Sequence, residues 1–475
     1  MASTCLGEEL VGTPHKVAPR ALGRVVKKRR RDRSKIRGRS GVYPFAVYLA
    51  PAPCRTDCVY CPTVAGVPKS YIHNSDTDLA GSFGYDPFAQ VQHMLGRIDD
   101  AGAETPAKLE VIVLGGTFSE LDDGYRSAFV ENVYSALNGV RVHQEDAAGW
   151  QTNADYRCCV LTVETRPDKI TQDECRKLLS LGVSKVELGV QALDDTVLSF
   201  VGRPYSVEGV REATNLLKDY GFKVGYHIML NLPFSSAEKD MEMFVDALWG
   251  PGFCPDYLKI YPTTLVDGGY CQPKLRLMKR GGAWTPASVP MMVRLVAGIK
   301  QCIPRFARLS RVGRQFDGRD SYGAIDMRGA ARTFLKAEGA ACGCIRCREV
   351  GYVDGGFRLS SEDRVDVRRM GYNAGADYFI EALAGDLLLG YCRVRLGDTA
   401  TIRELRVLGR AAPIGRGGPV QGQRVGLRLL QSAEELVTQR GYKEVLVTAA
   451  PGARGYFLPL GYQPHLYQLR KVLSV

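Results

Sequence analysis

Three cysteines fall within eight residues in Pro51-Ala-Pro-Cys54-Arg-Thr-Asp-Cys58-Val-Tyr-Cys61-Pro62, spaced C-x3-C-x2-C. Three thiolates on one short loop can hold three irons of a four-iron, four-sulfur cluster and leave the fourth iron open to bind another molecule. A cluster with four protein ligands mainly moves electrons, whereas one with an open iron can act on what it binds. The alternative for this loop is structural zinc, but zinc wants a fourth ligand and no further Cys or His follows until His73. A second trio, Cys342-Gly-Cys344-Ile-Arg-Cys347, has the tighter spacing C-x-C-x2-C. That spacing suits zinc or, left empty, a reduced cysteine loop. No histidine lies between His227 and His465 to complete it.

The first trio directly follows the apolar run 45–50, a short buried strand that places the thiols at its C-terminal end. Further strand-like runs recur at 110–114, 158–163, 185–190, 223–230 and 257–260. Helical stretches separate them: 171–181, opened by Thr171 and Glu174 as a capping box and closed by Gly182, then 206–220 and 236–249. Six strands alternating with helices predict an α/β fold, an incomplete parallel barrel of six units over residues 41–305. Its chemistry belongs at the C-terminal strand ends. Polar residues gather there: Gly115, Gly116 and Thr117 after the second strand, Glu164 at the third, Glu187 and Gln191 on the fourth, His227 in the fifth and Lys259 in the sixth. Singly each reads as a barrel-interior or rim residue, His227 most of all; together they outline a cofactor pocket.

Residues 306–351 read as a linker carrying the second cysteine trio, and from 352 the rhythm changes. Strand-like runs at 377–383, 387–396, 401–408 and 444–448 surround a helix over 425–440, with Leu427, Leu430, Ala433 and Val437 as its apolar stripe. Gln421-Gly-Gln-Arg424-Val-Gly426 precedes that helix and would aim backbone amides at a pyrophosphate.

The 475 residues suffice for two or three domains, and no apolar run approaches the 18 residues that would span a membrane. Fourteen cysteines without an apolar N-terminal signal region predict reduced thiols and metal ligands in a cytoplasmic setting. Residues 1–40 hold 12 Lys or Arg against three acids, so +9 of the net +12 sits on one N-terminal arm. Such an arm suits the phosphate backbone of a nucleic acid; a nuclear import signal or a solvated tail are the alternatives.

The cluster loop resembles that of the radical S-adenosylmethionine enzymes, whose open iron chelates that cofactor and whose electron cleaves it to a 5′-deoxyadenosyl radical. The combination of Pro68-Lys-Ser-Tyr71, Tyr85-Asp-Pro87, Gly115-Gly-Thr-Phe118, Glu164-Thr-Arg-Pro-Asp168, Val186-Glu-Leu-Gly-Val-Gln191, His227-Ile-Met229 and Lys259-Ile-Tyr-Pro-Thr263 resembles the catalytic subunit of Elongator. Ile402-Arg-Glu-Leu-Arg-Val-Leu-Gly409 and Gly452-Ala-Arg-Gly-Tyr-Phe457 resemble that family's acetyl-CoA-binding, GNAT-like domain, here 352–475. The resemblance implies cluster ligation by Cys54, Cys58 and Cys61. It implies acetyl-CoA contacts at Lys108, Glu404, Leu405, Arg406, Val407, Val425, Gly426, Leu427 and Phe457, with Lys108 and Tyr456 as catalytic groups. It further implies addition of an acetyl-derived radical to C5 of the wobble uridine of tRNA, leaving carboxymethyluridine, and partner subunits of the Elongator kind or a homodimer.

Four departures stand out: Arg424 where the family carries glycine, Arg406 for histidine, and Phe457 for the second of two tyrosines. The fourth is Met229-Leu-Asn-Leu-Pro-Phe234, where the family reads Met-Pro-Gly-Leu-Pro-Gly. A lysine acetyltransferase, or a tRNA-binding subunit without acetyl-CoA turnover, are the alternative functions.

Overall fold

The computed structural model describes residues 38–473 apart from 101–107, 141–146, 267–271, 315, 317, 324, 354, 355 and 361. The basic arm expected over 1–40 lies outside the described residues, save for its last three.

Seven parallel strands form one sheet in sequential order: β1 (Tyr43–Tyr48), β2 (Lys108–Leu114), β3 (Arg157–Thr165), β4 (Lys185–Gln191), β5 (Lys223–Leu230), β6 (Tyr257–Pro262) and β7 (Arg308–Val312). Neighbours pair in sequence order and β1 does not pair with β7, so the barrel stays open. Their middles are near-continuous apolar runs because helices cover the sheet, which made the first six legible. β7 lies inside the stretch expected to be linker; its sequence, Arg-Leu-Ser-Arg-Val, is too charged to read as a buried strand.

Local capping follows the sequence with one change. The Thr171 hydroxyl accepts from the Glu174 amide at 3.1 Å and caps the helix Gln172–Ser180, and Gly182 follows at φ +77°. The Glu174 carboxylate does not return to complete a capping box; it accepts from the Arg126 guanidinium at 2.7 Å. The helix expected over 236–249 starts at Ala237 under a Ser236 cap and passes into a π-helical turn, Met243–Ala247.

The second sheet is mixed, with β8 (Asp366–Tyr372), β9 (Asp377–Ala384), β10 (Leu387–Leu396), β11 (Ala400–Val407), β12 (Glu444–Val447), β13 (Gln463–His465) and β14 (Gln468–Val472) in the order β13-β14-β12-β11-β10-β9-β8. The helix Val425–Gln439 buries Leu429, Leu430, Ala433, Leu436 and Val437, while Leu427 is only half-buried. β11 and β12 pair in parallel only at Thr401 and Ile402 and then part, leaving a cleft beside the rest of β11.

The N-terminal ends of the barrel strands dock on β9, β10 and β11 through buried charges. Asp256 accepts from both terminal nitrogens of Arg403 at 2.5 and 2.9 Å, and Lys218 donates to Asp377 at 3.0 Å. Among the described residues no helix is long and apolar enough to cross a membrane.

Candidate active site

Cys54, Cys58 and Cys61 follow β1 on a loop held from several sides. The Val59 amide donates to the Val201 carbonyl at 3.1 Å, and the Gln272 side chain donates to the Tyr60 carbonyl at 2.7 Å. All three thiols line one cavity with Gly116, Thr117, Glu164, Glu187 and Gln191, so the chemistry expected at the strand ends is gathered in one place. The Cys54 and Cys58 sulfurs lie 3.1 and 3.6 Å from the Thr56 hydroxyl. A single zinc with bonds of about 2.3 Å would draw its sulfurs to within ~4 Å of each other. These three do not gather within 4.8 Å as Cys342, Cys344 and Cys347 do. The loop fits a multi-iron cluster rather than a lone ion.

Gly115 and Gly116 serve different ends. Gly115 sits at φ +133°, and a Cβ there would come 2.9 Å from the Leu49 Cβ, so this glycine lets β2 close on β1. Gly116, at φ +116° with open space above it, faces the cavity. Two guanidiniums flank the thiols. Arg166 lies 3.9 Å from the Cys54 sulfur, and Arg203 is clamped between the Tyr60 and Tyr205 rings at 5.7 Å from each centroid. Nothing in the sequence around Arg203 marks it.

The carboxylates that line the cavity are already engaged. Lys259 donates to Glu187 and, at 3.3 Å, to Glu164; His227 Nε2 lies 3.0 Å from Glu187. Burial opposes ionisation of Glu187, but the ammonium groups of Lys185 and Lys259 and the His227 bond outweigh it and hold the carboxyl well below its usual range. The pairing continues downward as a ladder. Lys185 reaches Glu110 at 3.1 Å, Glu110 meets Arg406 at 3.2 Å, and Arg406 meets Glu404 at 3.7 Å. Glu404 meets Arg393 at 3.0 Å, and Arg393 meets Asp256 at 3.3 Å. Charges at every second residue, as in Lys185 and Glu187 or Glu404 and Arg406, were the signal for this ladder.

That placement corrects part of the expected acetyl-CoA site. Glu404 and Arg406 are 6% and 8% exposed, and their side chains turn to Tyr257 and Glu110 of the barrel. Leu405 and Val407 point the other way. A Cβ on Gly426 would meet the Tyr456 hydroxyl at 2.8 Å and Val407 at 3.3 Å, so Val407, Gly426 and Tyr456 converge where β11 and β12 part. Val425 is buried beside them, and Tyr456 is 46% exposed. Phe457 is 5% exposed and packs edge-on against Tyr456 and Tyr462. Arg424 is exposed at φ +58°, in the left-handed conformation that glycine adopts freely.

Lys108 opens β2, at the opposite end of that strand from Gly116 and Thr117. Its ammonium donates to the Gln421 side chain, and burial lowers its pKa. Gln421 also accepts from the Ala412 amide at 3.0 Å and donates to the Val407 carbonyl at 3.1 Å, which ties Lys108 to the cleft through one amide.

Cys342, Cys344 and Cys347 lie within 4.8 Å of one another, with Lys300 donating to the Cys347 sulfur at 3.5 Å. Hydrogen bonds from the Cys342 and Cys344 thiols hold Cys347 far below the usual thiol range. The trio fits zinc; among the described residues no fourth acid, histidine or cysteine joins it.

Residues 53–247 match the model of the radical SAM superfamily. The tRNA uridine(34) acetyltransferase of Dehalococcoides mccartyi is 38% identical over 447 residues, covering 89% of this chain and 96% of that protein. Elongator complex protein 3 of Homo sapiens is 30% identical over 476 residues, covering 92% of this chain and 85% of its own. The structure of archaeal Methanocaldococcus infernus Elp3, lacking its N-terminal residues 1–46, superposes with a TM-score of 0.79 at 28% identity and covers 91% of this chain and all of that one. With its thiol loop, its open parallel barrel and its cleft-bearing second sheet, the chain belongs to the radical SAM family of the tRNA uridine(34) acetyltransferases and Elongator complex protein 3.

Proposed function

We propose that this protein attaches an acetyl-CoA-derived carboxymethyl group to C5 of the wobble uridine of tRNA. The observation that carries the reading is the single cavity shared by Cys54, Cys58 and Cys61 with the backbone of Gly116 and the side chains of Glu164 and Gln191. These thiols would hold a four-iron, four-sulfur cluster, which when bound supplies one-electron cleavage of S-adenosylmethionine and so a carbon radical. The chain's own part is to bind, orient and hold protons. Gly116 and Thr117 leave room for a ligand backbone against β2, and Gln191 offers a side-chain amide to its polar groups. Glu187 stays ionised between its cations and fixes His227 at the cavity wall, with Lys259 paired to it. In the second domain the parted strands β11 and β12 would take the acyl-CoA arm along Leu405 and Val407. Burial raises the Tyr456 pKa, so its hydroxyl stays protonated and can donate to the sulfur or carbonyl of a thioester. Cys342, Cys344 and Cys347 would hold a structural zinc, and residues 16–39 would grip the tRNA backbone.

The test is anaerobically reconstituted protein with S-adenosylmethionine, labelled acetyl-CoA and tRNA. We expect 5′-deoxyadenosine and label in the RNA, both abolished by Cys54→Ala, Cys58→Ala or Cys61→Ala. Label appearing on protein lysines instead, with full activity in the cysteine variants, would overturn the reading in favour of a lysine acetyltransferase.

A further inference from the structure

Two phenylalanines stand bare on the barrel face that carries the thiols. Phe200 ends the helix Asp195–Phe200 after β4 and is 39% exposed; Phe234 follows β5 and is 58% exposed. Their rings lie 4.2 Å apart between centroids, tilted by 40°. The pair is tied to the cysteine loop: Val201, next to Phe200, accepts the Val59 amide, and the Cys58 thiol points at the Gly202 carbonyl at 3.8 Å. Beneath it a small core of Val197, Val201, Leu232, Leu275 and Trp284 also takes in Cys58 and Tyr60.

Phe234 is doubly unfavourable as a bystander, because its ring meets water and its backbone sits at φ +68°, where bulky residues are outliers. The surrounding loop enforces that conformation. Asn231, itself at φ +58°, donates its amide to Asp240 at 2.6 Å, and its carbonyl accepts the Trp284 indole at 2.7 Å. Its side chain donates to the Thr285 carbonyl at 2.9 Å, and the Ser235 hydroxyl donates to Asp240 at 2.6 Å. Leu232 and Pro233 are buried, so the ring of Phe234 is held outward. Both Asn231 and Phe234 hold the left-handed backbone that glycine adopts freely, and at the second this chain has placed a ring. Arg55 of the cysteine loop and Lys279 and Arg280 at the end of the helix Pro273–Arg280 are exposed, and none has an acidic partner among the described residues. The Trp284–Asn231 bond brings the end of the helix Pro273–Arg280 beside the loop.

We propose that Phe200 and Phe234 form a stacking platform for an unpaired nucleobase of the RNA substrate, beside the base that enters the cavity. Every base presents a π-face to an outward ring, and neighbouring cations meet the flanking phosphates; rings interleaved with cations are how single-stranded nucleic acid is held. The proposal rests on the RNA-modifying reading.

The reconstituted protein is titrated with an anticodon stem-loop RNA carrying 2-aminopurine next to the wobble position. Wild type should bind and quench the probe. Phe234→Leu and Phe200→Leu should each weaken binding about tenfold and lose the quench, with the salt dependence unchanged. Phe234→Tyr should keep both. Phe234→Gly, which relieves the left-handed strain, should lose the quench yet melt no lower than wild type, so that loss is not unfolding. Phe234→Leu binding within twofold of wild type and still quenching would overturn the platform alone. Phe234→Leu splitting a dimer in light scattering, with RNA affinity intact, would assign the pair to a contact between copies. Wild type that fails to bind the stem-loop would overturn the RNA reading together with the platform.

Discussion

Glu110 enters β2 beside apolar neighbours and is buried between Lys185 and Arg406. Burial pushes its carboxyl up, but the two cations outweigh it and bring the pKa from 4.5 down to about 2. A depressed carboxyl contributes stability that is fully present above pH 4.5 and is lost as pH falls through about 2. Glu110→Gln should therefore cost about 3 kcal/mol at pH 7, because Lys185 and Arg406 keep buried charge without their partner. It should also flatten the acid limb of the stability curve between pH 4.5 and 2, measured by urea melts across that range. Arg424 poses the opposite case, a residue held where glycine belongs. Arg424→Gly should raise stability by about 1 kcal/mol in thermal melts. The same variant should bind acetyl-CoA more weakly, since the guanidinium offers a charge-assisted bond to the pyrophosphate worth about 1.5–3 kcal/mol. Binding that appears only in the glycine variant would show instead that Arg424 obstructs the cleft and would favour a non-catalytic tRNA-binding subunit.

Among the elements, legibility followed charge. β1 to β6 were readable because helices cover them and their runs are apolar. β7 and β8 escaped because they carry arginines: Arg308 of β7 pairs with Glu349 at 2.7 Å, and Arg368 of β8 lies exposed on an edge strand. The cysteines, Gly116, Thr117, Glu164 and Gln191 were legible as a site because each sits at a strand end. Arg203 was not, because its role comes from Tyr60 and Tyr205 closing around it. Nor did spacing tell that Glu404 and Arg406 turn to the barrel, since alternation along a strand leaves open which face is buried. The second cysteine trio is an element in its own right. The Ile345 amide donates to the Ala307 carbonyl at 3.0 Å, which pins the loop to the residue before β7. A chelator that strips zinc, or Cys344→Ser, should lower the melting temperature by several degrees and remove zinc but not iron by elemental analysis. An unchanged melt with no zinc to lose would leave the trio as plain reduced thiols.

At the scale of the molecule, the two sheets behave as one folded body. Arg393 and Arg403 belong to the second sheet, are wholly buried, and share Asp256, which lies in the barrel just before β6. Residues 352–475 expressed alone should therefore be poorly soluble or molten, with far-UV but little near-UV circular dichroism, because the barrel supplies Asp256, the carboxylate these two arginines share. A well-packed fragment that acetylates lysines by itself would contradict that and revive the second domain as an independent acetyltransferase.

The ladder from His227 to Asp256 also bears on descent. It crosses between the barrel and the second sheet at Glu110–Arg406 and again at Arg393–Asp256, so a change of sign on one side of either crossing strands a charge on the other. Arg406 of the second sheet meets Glu110 of the barrel, and a recombinant gene that joined this barrel to a second sheet without that cation would break the couple at the seam. Replacement of either half by lateral exchange is thus penalised at the first generation. A half taken from another protein fits only where it brings the complementary charge at each crossing.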